Sequence, residues 1–251
     1  FAQTPPNPSF EVTSVKVNKS GNDGVSMAPS PGGIVITNAT LQFMLRLAYR
    51  IQDFQIINGP SWLTTARFDV VGKIGTTVPQ PELGLMLQAL HADRFKLTVH
   101  RETRNLPVYA LVKAKTDGTF GSRFRTPSEC VPQNQAPRDA QQSGPRLCDN
   151  KVLIGNMSSA GVTMWTLAVN LSVFIGRTVI DRTGFSGTFD YDLTWTPDVF
   201  APGLAGAIPP ADPNRPPLAA ALQEQLGLKL ESTRGPVDVL VIDHVERPAE
   251  D

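Results

Sequence analysis

The sequence predicts an α+β fold of two pseudo-repeated β-α-β-β-α-β-β lobes preceded by an N-terminal strand. Two observations lead there. First, one ordered set of landmarks occurs twice. It runs Thr40-Leu41, Arg67-Phe68-Asp69-Val70, Leu87-Gln88, Phe95-Lys96-Leu97 and Pro107-Val108-Tyr109-Ala110-Leu111-Val112, and then Thr166-Leu167, Thr188-Phe189-Asp190-Tyr191, Leu222-Gln223, Leu228-Lys229-Leu230 and Pro236-Val237-Asp238-Val239-Leu240-Val241. Second, within each set helix-period apolar stretches alternate with period-two stretches. The spacings differ where loops would fall.

The elements follow in order. Residues 9–18 alternate, with Phe10, Val12, Val15 and Val17 against Glu11, Thr13, Lys16 and Asn18. The alternation slips at Thr13-Ser14, where a bulge is expected. Ile34 to Thr37 reads as a short strand. Asn38 or Thr40 can cap a helix over 41–50, whose apolar face is Leu41, Met44, Leu45, Leu47 and Ala48. Phe54 to Ile57 and Ala66 to Val71 read as strands, and Pro81 opens a second helix through Leu90. Phe95–Arg101 and Val108–Lys113 are expected to form a hairpin. In the second copy the pattern predicts a helix over 163–175, starting near Thr166 in equivalence to Thr40. A short strand at Val179-Ile180 and a strand from Thr188 to Trp195 come next, then a helix over 217–226 ended by Gly227. The last strands are Leu228–Glu231 and Val237–Val245. The resulting domains are 1–33 (N-terminal extension and strand), 34–115 (first repeat), 116–160 (a Pro/Gln-rich insertion) and 161–251 (second repeat, with a Pro-rich loop at 197–217).

Composition narrows the partners. Lys plus Arg and Asp plus Glu number 23 each, so net charge is zero and nothing favours nucleic acid or an anionic membrane. No apolar run approaches the roughly 18 residues of a membrane span, so no integral membrane segment is expected. The opening Phe1-Ala2-Gln3-Thr4-Pro5-Pro6 resembles the surroundings of a signal-peptidase site, which predicts an exported, extracellular or periplasmic protein. Cys130 and Cys148 are the two cysteines, close together in a core-poor segment, and this predicts a disulfide between them.

Several motifs carry a family resemblance. They are Ser9-Phe10-Glu11-Val12-Thr13-Ser14-Val15-Lys16, Ala48-Tyr49-Arg50-Ile51-Gln52, Ala92-Asp93-Arg94-Phe95-Lys96-Leu97-Thr98-Val99-His100-Arg101-Glu102, Leu106-Pro107-Val108-Tyr109, Asp181-Arg182-Thr183-Gly184-Phe185-Ser186-Gly187-Thr188-Phe189-Asp190-Tyr191 and Val241-Ile242-Asp243-His244-Val245-Glu246. Together they resemble the soil-associated exported protein family of Acidobacteria-type bacteria. The repeat unit, through its Thr-Leu helix start, also resembles the short N-terminal domain of secretins and TonB-dependent receptors. The first resemblance implies a secreted or periplasmic protein and supplies no catalytic residues.

The residues themselves offer little chemistry. His100 lies on the strand over 95–101 and His244 on the last strand, at corresponding ends of the two copies, where a symmetric pair would suit a metal or acid–base site. A surface histidine satisfied locally explains each as well. His91 sits at a helix end, where the helix dipole favours a cation. Asp190 and Asp192 share a strand face near Asp181, a pattern open to calcium or acid–base work and equally to the solvated side of an edge strand. Phe10, Trp62, Phe68, Phe95, Trp165, Phe189 and Trp195 read as core, with Trp195 partly exposed beside a loop. No Gly-x-Ser-x-Gly elbow, P-loop or His-Glu-x-x-His occurs. The sequence therefore yields no catalytic, metal or cofactor residue. It favours a non-enzymatic module for binding a protein partner or for homo-oligomeric self-assembly, with strand addition through Phe10, Val12, Val15 and Val17 as the route. A small-molecule sensor and an extracellular hydrolase are the alternatives.

Overall fold

The computed structural model describes residues 8–22, 24–30, 33–74, 80–127, 130–131, 148–197, 212 and 214–249. Phe1–Pro6, expected to resemble the surroundings of a signal-peptidase site, and most of the 197–217 loop lie outside them. The fold is α+β. The chain divides into two compact units, Phe1–Arg104 with Val237–Asp251, and Asn105–Pro236.

The first unit holds strands β1 (Val12–Val17), β2 (Ser26–Ser30), β3 (Gly33–Thr40), β4 (Ile56–Ile57) and β5 (Arg67–Lys73), with helices α1 (Leu41–Tyr49), α2 (Trp62–Thr65) and α3 (Gln80–Arg94). Four strands form an antiparallel sheet in the order β1-β5-β3-β2. Its inner face buries Val15, Ile34, Ile36, Phe68 and Val70 against Leu41, Met44 and Leu45 of α1 and Leu87 and Leu90 of α3. Phe68 stands edge-on to both Trp62 and Phe95, the closer ring centroids being 5.2 Å apart.

Local chemistry launches α1. The register of β3 against β5 shifts between Ile36 and Ala39, and Asn38 there takes a left-handed φ of 59°. Its N–H donates to Asp69 Oδ1, and its side-chain amide donates to the carbonyls of Asn22 and Gly24. Asn38 is thus occupied, and Thr40 is the cap, its Oγ1 accepting from Phe43 N–H at 3.2 Å. At the other end Arg50 holds φ 54°, ψ 49°, and its N–H donates to the Arg46 carbonyl.

The N-terminal strand pairs antiparallel with β5 in unbroken register from Val12 opposite Lys73 to Val17 opposite Phe68. The expected bulge does not form. The alternation slips because Thr13 sits where an apolar residue would, and the Arg94 guanidinium satisfies it, donating to its Oγ1 and its carbonyl. Of the four residues expected on one face, Phe10 and Val15 are buried, while Val12 and Val17 are exposed.

Strands β6 (Thr98–Lys113) and β12 (Leu228–His244) replace the expected hairpin and the expected pair of closing strands. A tight hairpin needs left-handed residues at its turn, and Arg104 to Pro107 offers no glycine. Asn105 is absent from the left-handed residues, and the fixed φ of Pro107 suits extended backbone. The unit boundary falls inside both strands. Residues 237–244 belong with the first unit, where Leu240 and Val241 pair with β4 and Ile242 joins the core. The sequence-derived boundary at 161–251 instead placed them with the second.

The second unit holds β7 (Phe124–Arg125), β8 (Asn150–Leu153), β9 (Asn156–Thr163), α4 (Met164–Ile175), β10 (Val179–Asp181), β11 (Thr188–Thr194) and α5 (Leu218–Ala221), which continues as a π turn over Leu222–Leu226. Its sheet runs β7-β11-β9-β8, and β10 pairs parallel with residues 109–111 of β6. Thus 150–160, read from sequence as insertion, supplies β8 and most of the central β9. Met157, Phe189, Tyr191 and Leu193 pack on Leu167 and Leu171 of α4 and on Leu222 and Leu226. The register of β9 against β11 shifts between Phe189 and Tyr191. Gly161 there has φ 66°, and its N–H donates to Asp190 Oδ1 at 2.8 Å. Thr163 caps α4, accepting from Thr166 N–H, so the helix fills the expected 163–175 span and Thr163, rather than Thr166, takes the place of Thr40. Gly176, φ 64°, ends it, and Gly227, φ 68°, ends the π turn.

Cys130 and Cys148 are joined by a disulfide, as expected. The bond rests on Gly161, where a Cβ would come within 2.7 Å of Cys130 Sγ. Loop closure of this length contributes about 3 kcal/mol. Reduction should lower the guanidinium unfolding free energy by about that amount; an unchanged midpoint with and without reductant would show that the bond constrains nothing.

His91 lies in the first core, fully buried and edge-on to Phe95, with neither ring nitrogen hydrogen-bonded among the described residues. Burial lowers its pKa to about 3 from 6.5, so it is neutral and does not serve as the cationic partner of the helix end. The unfolded chain takes up this proton first. Its contribution to stability is therefore complete above pH 6.5 and falls as the pH drops toward 3, by about 1.4 kcal/mol per pH unit once the unfolded histidine is charged. Urea titrations across this range should show a slope steeper by about that amount in the native protein than in His91→Leu; equal slopes would contradict the assignment.

Candidate functional site

The expected chemical residues do not converge. His100 does not meet His244. Its Nδ1–H donates to the Asp243 carboxylate at 2.9 Å, its Nε2 lies 3.8 Å from Glu102, and the Asp243 hydrogen bond holds its pKa above the ordinary value. His244 pairs instead with Glu246 at 2.8 Å. Both are half-exposed surface ion pairs of the kind that contributes little.

The aspartates are likewise separate. Asp190 is buried on the interior strand β11 and accepts from Gly161, so it is neither solvated nor on an edge. The register shift beside it turns its carboxyl toward the backbone it satisfies. Asp192 is half-exposed and paired with Arg125 at 2.6 Å. Asp181 accepts from the N–H and hydroxyl of Thr183 in a local turn. Among the described residues no three His, Cys, Asp or Glu side chains gather as metal ligands would.

The tryptophans reverse the expectation. Trp195 is buried at 2% exposure, against Phe174, whereas Trp165 is 69% exposed. Trp165 and Val169 lie one turn apart on α4 and are both exposed; Val173, half-buried, continues the row. Counted from the capping threonine, the same positions of α1 are Gln42, Arg46 and Arg50. The capped helix does not itself demand apolar residues there. All twelve residues of α4 are uncharged. Sequence reasoning missed this row because α4 is apolar nearly all round, and such a helix is ordinarily buried on every side.

A second feature lies beside α1. A groove of about 310 Å³ is lined by Phe43, Arg46, Leu47, Arg50, Ile51 and Gln52. Phe43 and Leu47, one turn apart on α1, and Ile51, just past its left-handed cap, make an apolar wall. Arg46 and Arg50 lie four residues apart next to it. Arg46 Nη1 donates to Asp53 at 3.3 Å, while its Nε is buried without a hydrogen-bond partner. Burial raises the pKa of Asp53, and Arg46 opposes the shift.

No helix among the described residues is long and apolar enough to cross a membrane. No curated protein and no solved structure matches the chain. One family model does, over residues 42–245, from within α1 to just past β12. The chain belongs to the family described as protein of unknown function, DUF3738.

Proposed function

We propose that this protein is an exported, non-enzymatic binding module that associates with a second copy of itself through the outer face of α4. The observation that carries the reading is the row Trp165, Val169 and Val173 on a helix with no charge. Tryptophan is the residue type most enriched at binding hot spots. An isolated exposed apolar residue needs no explanation, but a row on one helix face marks a contact surface. A second copy fits for two reasons. An uncharged face is complementary to itself across a twofold axis, and a chain of zero net charge does not repel its own copies. The disulfide supports an oxidising, exported setting.

Strand addition is the weaker route. β1 already spends one side on β5, and Lys16 and Lys151 stand on β1 and β8, at the ends of the two antiparallel sheets, where charge discourages pairing. We also read the two units as copies of one ancestral element. In each, a strand carries a left-handed residue tied to an aspartate, and a threonine cap two positions later starts the helix.

Sedimentation equilibrium should find a concentration-dependent species of twice the 27.2 kDa chain mass. Trp165→Glu, with unchanged circular dichroism, should weaken the association by roughly 30-fold or more, as loss of a hot-spot residue does. A monomer at every concentration, or a dimer indifferent to Trp165→Glu, would overturn the reading.

A further inference from the structure

We infer that the groove beside α1 is a binding site for a small monocarboxylate with an apolar body, such as an aromatic or short-chain aliphatic acid. The inference rests on the first unit alone and does not depend on self-association through α4.

Three observations carry it. The first is the groove itself, whose volume of about 310 Å³ stands at the lower end of ligand cavities. Phe43, Leu47 and Ile51 offer a hydrocarbon surface, and Arg46 and Arg50 place two guanidiniums beside it. Guanidinium forks match a carboxylate in geometry and charge. The second is Arg46. It lines the groove, and its ion pair to Asp53 is long at 3.3 Å, so its guanidinium is placed to take a second carboxylate.

The third is Arg50. It holds the left-handed cap of α1, where an L side chain is strained and glycine is not. The cap of α4 is Gly176, with nearly the same φ. Arg50 makes no side-chain hydrogen bond or ion pair to any described residue. Attraction of a cation to the helix C-terminus accounts for a basic residue in the last turn, a place Arg46 already fills. It gives no reason to set a second arginine at the one position where glycine costs nothing. Strain retained at a residue that faces a groove points to use of its side chain. Inorganic phosphate would gain the charges but leave the apolar wall unused.

The test is a nuclear magnetic resonance titration of the full chain, uniformly labelled with nitrogen-15, using benzoate, octanoate, benzyl alcohol and inorganic phosphate. Benzoate or octanoate should shift the amides of residues 43–52 saturably, and benzyl alcohol and phosphate should bind at least about tenfold more weakly. Arg50→Gly keeps the left-handed cap and relieves its strain, so it should unfold at an equal or higher temperature while losing at least about tenfold in carboxylate affinity. That pairing separates loss of a ligand contact from loss of fold. The inference is overturned if neither acid shifts those amides, if Arg50→Gly binds as tightly as the native chain, or if benzyl alcohol or phosphate binds as well as benzoate.

Discussion

In each unit the helix that shapes the surface is aimed by one hydrogen bond from an out-of-register strand residue to an aspartate on the neighbouring strand. Asp69 takes the N–H of Asn38, and Asp190 takes the N–H of Gly161. A left-handed residue inside a strand leaves its N–H out of the ladder, and a buried unpaired N–H is not tolerated. The aspartate answers that need and fixes the kink. Two residues later a threonine caps the first turn of the helix, so the direction of α1 and of α4 follows from the kink. A hydrogen bond to a charged group is worth about 1.5–3 kcal/mol, more than an ordinary one, which suits a joint on which a helix depends.

The same device carries two different surfaces. On α1 the outward positions are polar and cationic, and the adjoining Phe43, Leu47 and Ile51 wall a groove. On α4 they are apolar and uncharged. Helices launched in the same way need the same inward residues, which is why Leu41, Met44 and Leu45 correspond to Met164, Leu167 and Ala168 in burial. The outward residues answer to no such requirement. Their difference is where the two functional readings rest, and both concern contact; His100, His244, Asp181, Asp190 and Asp192 are each held by a local partner.

Much of the fold was legible because period and capping are local. The helix over 41–50, the strand from Thr188 to Trp195, observed to Thr194, and the terminating role of Gly227 follow from residues within a few positions of one another. The disulfide followed from two cysteines in a segment with little core of its own. What failed was nonlocal. Nothing near Pro107 or Pro236 shows that each strand runs straight through, because a strand's length is set by what pairs with its two halves. The burial of Asp190 depends on Gly161, 29 residues away, and Thr13 takes its inward place because Arg94 reaches it across 81 residues. Trp165 was misplaced because a helix with one exposed apolar row has nearly the composition of a fully buried one. The groove beside α1 was invisible because its strained arginine is recognised by a backbone angle.

The most direct measurement of the central claim is acrylamide quenching of tryptophan fluorescence as a function of protein concentration. Of the three tryptophans, Trp165 is the most exposed, Trp62 is half-buried and Trp195 is buried. If α4 docks against a second copy, the readily quenched component is present in dilute solution and is lost as the protein is concentrated. A quenchable component that stays constant from dilute to concentrated solution would mean that Trp165 never leaves water, and the account of α4 as a contact surface between copies would be wrong.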